Sequence, residues 1–105
     1  LSIGGEGPER EALQRLAGAL GVAERVSVLG WREDAGALLA ACDVFVCPSR
    51  HEPLGNVVLE AWSAARPVVA AAAQGPGELI ADGVTGLLVP REAPAPLAAA
   101  IAGLL

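Results

Sequence analysis

Apolar residues along this chain fall into short runs punctuated by glycine and proline, and the runs alternate between two kinds. Compact, valine- and leucine-rich runs at Leu1–Ile3, Val26–Leu29, Val44–Cys47, Pro67–Ala71 and Leu87–Val89 read as buried parallel strands. Between them the apolar positions recur at helical spacing. Pro8, followed by Glu9 and Glu11, opens a helix that sets Leu13, Leu16 and Leu20 on one face, and Gly21 ends it. Asp34 is placed to cap a short helix carrying Leu38 and Leu39. Leu54 to Ala65 forms the next helix, Gly77 to Ala81 only a short helical turn. Pro94 or Pro96 opens a last helix through Leu97, Ile101 and Leu104. Strand and helix alternate with short connections, so the expected class is α/β, a doubly wound parallel sheet with helices on both faces. With no internal repeat and no linker, residues 1–105 read as one domain.

The junction between the third strand and its helix carries the candidate chemistry. It reads Asp43-Val-Phe-Val-Cys-Pro-Ser49, Arg50-His-Glu52, Pro53-Leu-Gly-Asn-Val-Val-Leu-Glu60. Glu52 falls in the turn at the strand's carboxyl end, where open α/β sheets bind ligands. The N–H groups of Gly55, Asn56 and Val57 are free at the helix start, which suits a phosphate. Glu60 lies about five residues into the helix, ~7.5 Å along its axis, with its side chain leaning back toward the N-terminus. An acid, an anion cradle and a second acid in one line suit a sugar, a diphosphate and a ribose.

Composition narrows the classes. The chain is 53% hydrophobic with 13 glycines and 8 prolines, which describes a packed, turn-rich domain and not a disordered one. Its apolar runs stop short of the ~18 residues a membrane span needs, and no signal peptide opens it. A net charge of −5, with seven arginines and no lysine, argues against general nucleic-acid binding. Cys42 and Cys47 bracket a strand, about 16 Å apart at ~3.3 Å per residue, too far for a disulfide. They read as small buried hydrophobes of a reducing, cytoplasmic protein. One histidine and two cysteines at these spacings make no zinc site.

The stretch Pro48-Ser49-x-x-Glu52-x-x-Gly55, then Glu60-Ala61, then Pro67-Val68-Val69-Ala70, resembles the group 1 retaining glycosyltransferases of the GT-B fold. Leu1-Ser-Ile-Gly-Gly-Glu-Gly-Pro8, Arg25-Val-Ser-Val-Leu-Gly30-Trp31 and Gly83-Val-Thr-Gly86-Leu-Leu-Val-Pro90 extend the likeness along nearly the whole chain. The resemblance implies a Rossmann-like donor-binding domain, one half of a GT-B fold, that holds a UDP- or GDP-linked sugar. It places Glu52 as the catalytic residue beside the reacting carbon of the donor sugar. A front-face displacement needs no enzyme nucleophile, so electrostatic stabilisation is the role implied. Leu54, Gly55, Asn56 and Val57 would surround the phosphates, Glu60 the ribose, and His51 and Gln74 the donor sugar. Neither a metal nor another cofactor is implied. The family's domain begins with a further βα unit bearing an arginine and a lysine for the diphosphate, and an acceptor-binding domain precedes it. The first residue here is already in a strand and is not methionine, so the sequence reads as a fragment incomplete at its N-terminus. In the intact enzyme the resemblance implies cell-envelope polysaccharide synthesis, with peripheral attachment at the inner face of the membrane.

Each of these residues also has a plainer reading. Glu60 can be a solvated helix acid, although Val57, Val58, Leu59, Ala61 and Trp62 around it are apolar; Glu52 can simply oppose the helix dipole. Gly55 serves a tight helix start as well as close approach to a phosphate. Gly4-Gly5-Glu6-Gly7 is only half of a dinucleotide fingerprint. In the family the Gly30-Trp31-Arg32 turn holds the nucleobase. Trp31 is then either an exposed stacking platform or a half-buried residue closing the core, and Arg32 either reaches a phosphate or is a solvated charge. Ser49 bonds locally, and a lone histidine such as His51 in a turn is more often neither base nor ligand. Two positions depart from the family pattern: Ala65, two before Pro67, stands where glycine is usual, and Gln74 replaces the first glycine of a Gly-Gly-x-x-Glu turn. Alanine at 65 is tolerated where its φ is negative; Gln74, in a loop that faces the sugar, bears on sugar choice. A nucleotide-binding module without chemistry is the competing class. A nicotinamide-dependent dehydrogenase fits worst, because Gly4, Gly5 and Gly7 have the wrong spacing.

Overall fold

In the computed structural model, which describes residues 1–105, every pair of named strands is parallel, in keeping with the α/β class. The strands form two hydrogen-bonded sheets rather than one, divided between two units, Leu1–Ala35 and Gly36–Leu105. In the first unit β1 (Ser2–Gly4) pairs with β2 (Ser27–Gly30), and the connection holds α1 (Arg10–Ala19) and a short 3₁₀ turn at Ala23–Arg25. The anticipated stop of α1 is present: Gly21 has φ 70°, its N–H donates to the Gly18 carbonyl at 3.1 Å, and the Val22 N–H donates to Ala17 at 2.9 Å. This is a Schellman ending. The leucine face of α1 is not a core face, however. Leu13, Leu16 and Leu20 are 38%, 54% and 66% exposed, and only Ala17 of this helix is buried.

Asp34 also differs from expectation. Its Oδ1 accepts from Arg32 Nε at 2.7 Å and its Oδ2 from Arg32 Nη2, so the carboxylate is held by a bidentate guanidinium instead of by the N–H groups of α2 (Ala35–Ala41). A charged partner two residues away competes better for a carboxylate than a helix terminus that is open to water. The Arg32 hydrogen bonds hold the Asp34 carboxyl below its ordinary range.

The second unit shows how an apolar run becomes a doubly covered sheet. β4 (Val68–Ala71) is central, between β3 (Phe45–Cys47) and β5 (Leu87–Val89), and all four of its residues are buried. Alternation divides them. Val68 and Ala70, with Cys47, pack under Val58 and Ala61 of α3 (Asn56–Ser63) and Ile80, at the end of α4 (Gln74–Leu79). The register puts Val69 and Ala71 on the other face with Leu87 and Val89, toward α5 (Pro94–Leu104), which packs on β4 and β5. Pro94 takes the first helical position, where its missing N–H costs nothing. The fourth helix begins at Gln74, not Gly77: Gly75 and Pro76 occupy its first turn, whose N–H groups have no intrahelical acceptor to lose.

Ala65 is the clearest correction. It sits one place beyond the helix cap with φ 55°, its N–H donating to Trp62 and that of Arg66 to Ala61, both at 2.9 Å. α3 therefore ends in the same Schellman geometry as α1, but with alanine in the left-handed position instead of glycine. The condition of a negative φ is not met, and the Cβ strain is of order 1–2 kcal/mol. Arg66 holds the ending in place, donating from Nε to the Ala64 carbonyl and from Nη1 to the Cys42 carbonyl, both at 3.0 Å.

Ala65→Gly is therefore expected to stabilise the chain by about 1 kcal/mol, the relieved strain exceeding the extra unfolded-state entropy of glycine. Thermal unfolding should show Tm higher by about 4–8 °C; a lower Tm would contradict the strained assignment. For Asp34, a depressed folded-state value means that its small contribution to folding is present above the ordinary carboxylate range and is lost as pH falls through that value. A carboxyl-detected NMR titration should place the Asp34 midpoint below ~3.9, and Arg32→Ala should return it to that range.

Candidate functional site

β3 delivers the chain to the carboxyl edge of its sheet. Cys47 is the last buried strand residue, and its Sγ lies 3.7 Å from Ser49 Oγ, the local contact anticipated for that serine. The loop then runs through Arg50, His51 and Glu52 to Gly55. Gly55 has φ 73°, in the left-handed region, so the helix cannot extend back to Leu54 and starts at Asn56. The first helical bonds run from the Val58 and Leu59 N–H groups to the Gly55 carbonyl, at 2.9 and 3.4 Å. The N–H groups of Asn56 and Val57 are left as terminal donors, and no side chain caps them. There is no acid in the first turn of α3 either, so nothing on the helix itself neutralises the positive end of its dipole.

The position of this loop is set from the start of α4. The Gly75 N–H donates to the Glu52 carbonyl at 2.7 Å. Gly55 and Gly75 cross with their backbones in contact: a Cβ on Gly75 would overlap the Gly55 nitrogen and the Leu54 carbonyl carbon, and one on Gly55 would come 3.1 Å from the Gly75 carbonyl carbon. Gln74 adds a second grip. Its Oε1 accepts the Glu52 N–H at 3.3 Å, and its Nε2 lies 3.2 Å from His51 Nδ1. The family resemblance implied a shared neighbourhood for His51, Glu52 and Gln74, and in the structure the three are in contact. Gly75 is the second glycine of the Gly-Gly-x-x-Glu turn, but the physical need for glycine there comes from the backbone of residues 52–55, distant in sequence.

Glu60 is the fifth residue of α3, exposed on the same face as Asn56 one turn below, while Val58 and Ala61 face the core. Its side chain leans toward the open N-terminus. Trp62 Nε1 donates to the Thr85 carbonyl at 3.1 Å and ties the last turn of the helix to the turn before β5. Glu52 is half-buried and Leu54 exposed. In the first unit, Trp31 is 75% exposed, which decides between its two readings in favour of an open ring; Arg32 is engaged by Asp34.

In the second unit, Arg50 is also paired. Arg50 Nε meets Glu92 Oε1 at 3.0 Å, and the Arg50 carbonyl accepts from Arg91 Nη1 at 3.4 Å. This pair borders a cavity of about 300 Å³ on the α5 face, lined by Pro48, Arg50, Ala71, Val89, Glu92 and Leu97 among others. The cavity does not include Glu52 or the start of α3. No three His, Cys, Asp or Glu side chains converge anywhere in the chain.

The profile of the family described as glycosyl transferases group 1 matches residues 1–105. Among similar proteins, the lipopolysaccharide core biosynthesis glycosyltransferase LpsE of Rhizobium meliloti (strain 1021) is 51% identical over 85 residues, covering 81% of this chain and 25% of LpsE. LpsD of the same organism is 44% identical over 97 residues, 92% of this chain and 28% of LpsD. The crystal structure of Anabaena Alr3699/HepE in complex with UDP-glucose superposes with a TM-score of 0.87 at 35% identity, covering 97% of this chain and 30% of HepE. WaaG, a glycosyltransferase involved in lipopolysaccharide biosynthesis, superposes at 0.86 with 30% identity, covering 99% of this chain and 28% of WaaG. The chain thus spans between a quarter and a third of the length of these relatives, and has the Rossmann-like architecture of GT-B glycosyltransferases. With the match running over its full length, the chain belongs to the group 1 glycosyl transferases.

Proposed function

We propose that residues 1–105 are part of the donor-binding domain of a retaining glycosyltransferase that moves a sugar from a nucleoside diphosphate to an acceptor held by another part of the protein. One observation carries this reading: Glu52, the two unpartnered N–H groups at the start of α3 and Glu60 lie together at one strand-to-helix junction. HepE, at 35% identity, is known in complex with UDP-glucose, which favours a UDP-sugar among the donors considered. In this assignment the Asn56 and Val57 N–H groups, flanked by Leu54 and Gly55, hold the diphosphate. The Glu60 carboxylate accepts from both ribose hydroxyls.

Transfer breaks the bond between the anomeric carbon and the diphosphate oxygen. The leaving oxygen gains negative charge, which the fixed N–H dipoles at the start of α3 stabilise without reorganising. The sugar carbon gains positive charge, which the Glu52 carboxylate stabilises from the loop. The acceptor hydroxyl oxygen attacks from the departing side, forming the new bond to the anomeric carbon while its proton passes to the leaving diphosphate oxygen, so configuration is retained with no covalent intermediate on the enzyme. No metal is required by this scheme, because helix-terminal donors take the place of a divalent cation at the phosphates. Synthesis of a cell-envelope glycan on the cytoplasmic side of the membrane, with the enzyme attached peripherally, fits the names of LpsE and LpsD.

A second reading applies to these 105 residues in isolation: binding without transfer. Arg32, after β2, and Arg50, after β3, are both paired with carboxylates, and there is no lysine to take their place at a diphosphate.

The roles separate by mutation. Glu60→Ala should weaken binding of UDP or GDP by about 10- to 150-fold, the loss of a charged hydrogen-bond partner, and by more than Glu52→Ala does. In the intact enzyme Glu52→Ala should act mainly on turnover. Calorimetry or NMR line broadening with UDP and GDP reads the first effect, and an unchanged affinity in Glu60→Ala would remove the ribose assignment. The isolated chain should bind these nucleotides weakly; a sub-micromolar Kd would show that the charge it lacks is unimportant.

The isolated chain should also transfer no sugar. Near-attack geometry holds acceptor oxygen and anomeric carbon about 3–3.5 Å apart, which takes a second surface facing the donor. Incubation with radiolabelled UDP- and GDP-sugars and a panel of acceptors tests this. Product above a boiled control that disappears in Glu52→Gln would refute it.

A further inference from the structure

The Gln74 side chain makes two hydrogen bonds, and the partner in the first fixes the polarity of both. The Glu52 backbone N–H can only donate, so the atom 3.3 Å from it must be the Gln74 oxygen. The amide nitrogen of Gln74 is then the atom facing His51 Nδ1 at 3.2 Å, and it can only donate. Nδ1 must therefore offer its lone pair. A neutral imidazole with a lone pair at Nδ1 carries its proton at Nε2. One amide, oriented by a backbone N–H, thus selects one of the two tautomers of the only histidine in the chain.

We infer that Gln74 is a positioning residue of the donor site: it fixes the neutral Nε2–H tautomer of His51, which presents that N–H as a hydrogen-bond donor to an oxygen of the donor sugar, while it holds the adjacent Glu52 turn in register. The inference rests on the donor-binding reading above for the identity of the oxygen; the tautomer stands on geometry alone. Both contacts run from the start of α4 to the loop after β3, where Gly75 donates to the Glu52 carbonyl. Glu52 is therefore held at its N–H by a side chain and at its C=O by a backbone. His51 in this state is not a base: its lone pair is turned inward to Gln74, and what remains for a ligand is a donor. A sugar hydroxyl oxygen accepts such a bond at no cost in charge.

The test is the tautomer itself, read on the 105-residue chain from imidazole ¹⁵N shifts at a pH where His51 is neutral. The expected native spectrum has Nδ1 unprotonated and Nε2 protonated; the reverse would overturn the inference. Gln74→Glu replaces the NH₂ by a carboxylate oxygen, which keeps an acceptor for the Glu52 N–H but requires a proton on Nδ1, so the tautomer should invert. Gln74→Ala should leave a mixture, and the Glu52 amide should exchange with solvent about 10-fold faster relative to the Ala70 amide in β4, the effect of one ordinary hydrogen bond. A Gln74→Glu chain that folds with the native tautomer retained, or a Glu52 amide indifferent to Gln74→Ala, counts against the assignment. Should neither variant fold, the native ¹⁵N spectrum still decides. Addition of UDP-glucose should then shift the His51 Nε2–H resonance where UDP alone does not. Equal shifts with both ligands would overturn the sugar-facing role. No response anywhere in the spectrum to either ligand would overturn the donor-binding reading and leave the tautomer assignment intact.

Discussion

The site depends on the contact between two glycine backbones, Gly55 and Gly75. Neither can carry a Cβ, for different reasons that reinforce one another. Gly55 must take a left-handed conformation to turn the loop into α3, and Gly75 must leave room for the peptide that makes this turn. Closing that gap allows the 2.7 Å bond from the Gly75 N–H to the Glu52 carbonyl, and it brings Gln74 within reach of His51 and Glu52. The acid at 52 thus sits on a loop, yet it is fixed by a helix start that follows a fully buried strand. These bonds fix the backbone at Glu52, and in the proposed transfer such rigid support would spare the loop reorganisation as charge develops.

The βα alternation was legible because it follows from periodicity. Runs of valine and alanine bounded by turn residues can bury both faces only within a parallel sheet, and β5 appears at the residues expected, Leu87–Val89. Glu52, Glu60 and the open N–H groups of Asn56 and Val57 were legible from an approximate strand-to-helix boundary, although the helix starts at Asn56 and not at Leu54 because Gly55 takes a positive φ. What could not be read locally was competition between partners. Asp34 is a good helix cap by type, but Arg32 is a better partner for its carboxylate. The Gln74–Gly75–Pro76 stretch has the composition of a loop, yet a helix's first three residues need no N–H acceptors within it, so α4 starts there. Leu13, Leu16 and Leu20 have a core-facing pattern, and periodicity alone cannot say whether anything lies against them; here they are exposed.

Ala65 shows a different limit. A composition rule reads alanine as a sign of ordinary helical φ, and the hydrogen bonds from Ala65 to Trp62 and from Arg66 to Ala61 override it. Two backbone bonds, and an Arg66 side chain spanning the carbonyls of Cys42 and Ala64, outweigh a strain of ~1–2 kcal/mol. The chain must turn within four residues from the end of α3 at Ser63 into β4, whose first residue, Val68, is wholly buried. A longer, relaxed connection would shift the register of that strand and turn its buried residues out of phase with both helical layers.

In the donor-binding reading proposed above, the charge distribution shapes how a nucleoside diphosphate would be held. The chain has a net charge of −5, and most of its arginines are already engaged: Arg10, Arg15, Arg32 and Arg50 with carboxylates, Arg66 and Arg91 with backbone carbonyls. A long cation recruited to a phosphate here must first leave a partner, and an exposed pair of this kind is worth at most ~1 kcal/mol. The start of α3 has nothing to give up. Its Asn56 and Val57 N–H groups are fixed by the helix, uncapped, and without an acid in the first turn to offset the dipole. Fixed donors are also indifferent to the rearrangement of surface ion pairs. An anion meeting this surface is therefore sorted by geometry before charge, with the backbone of one helix turn as the fixed reference and the flexible cations secondary to it.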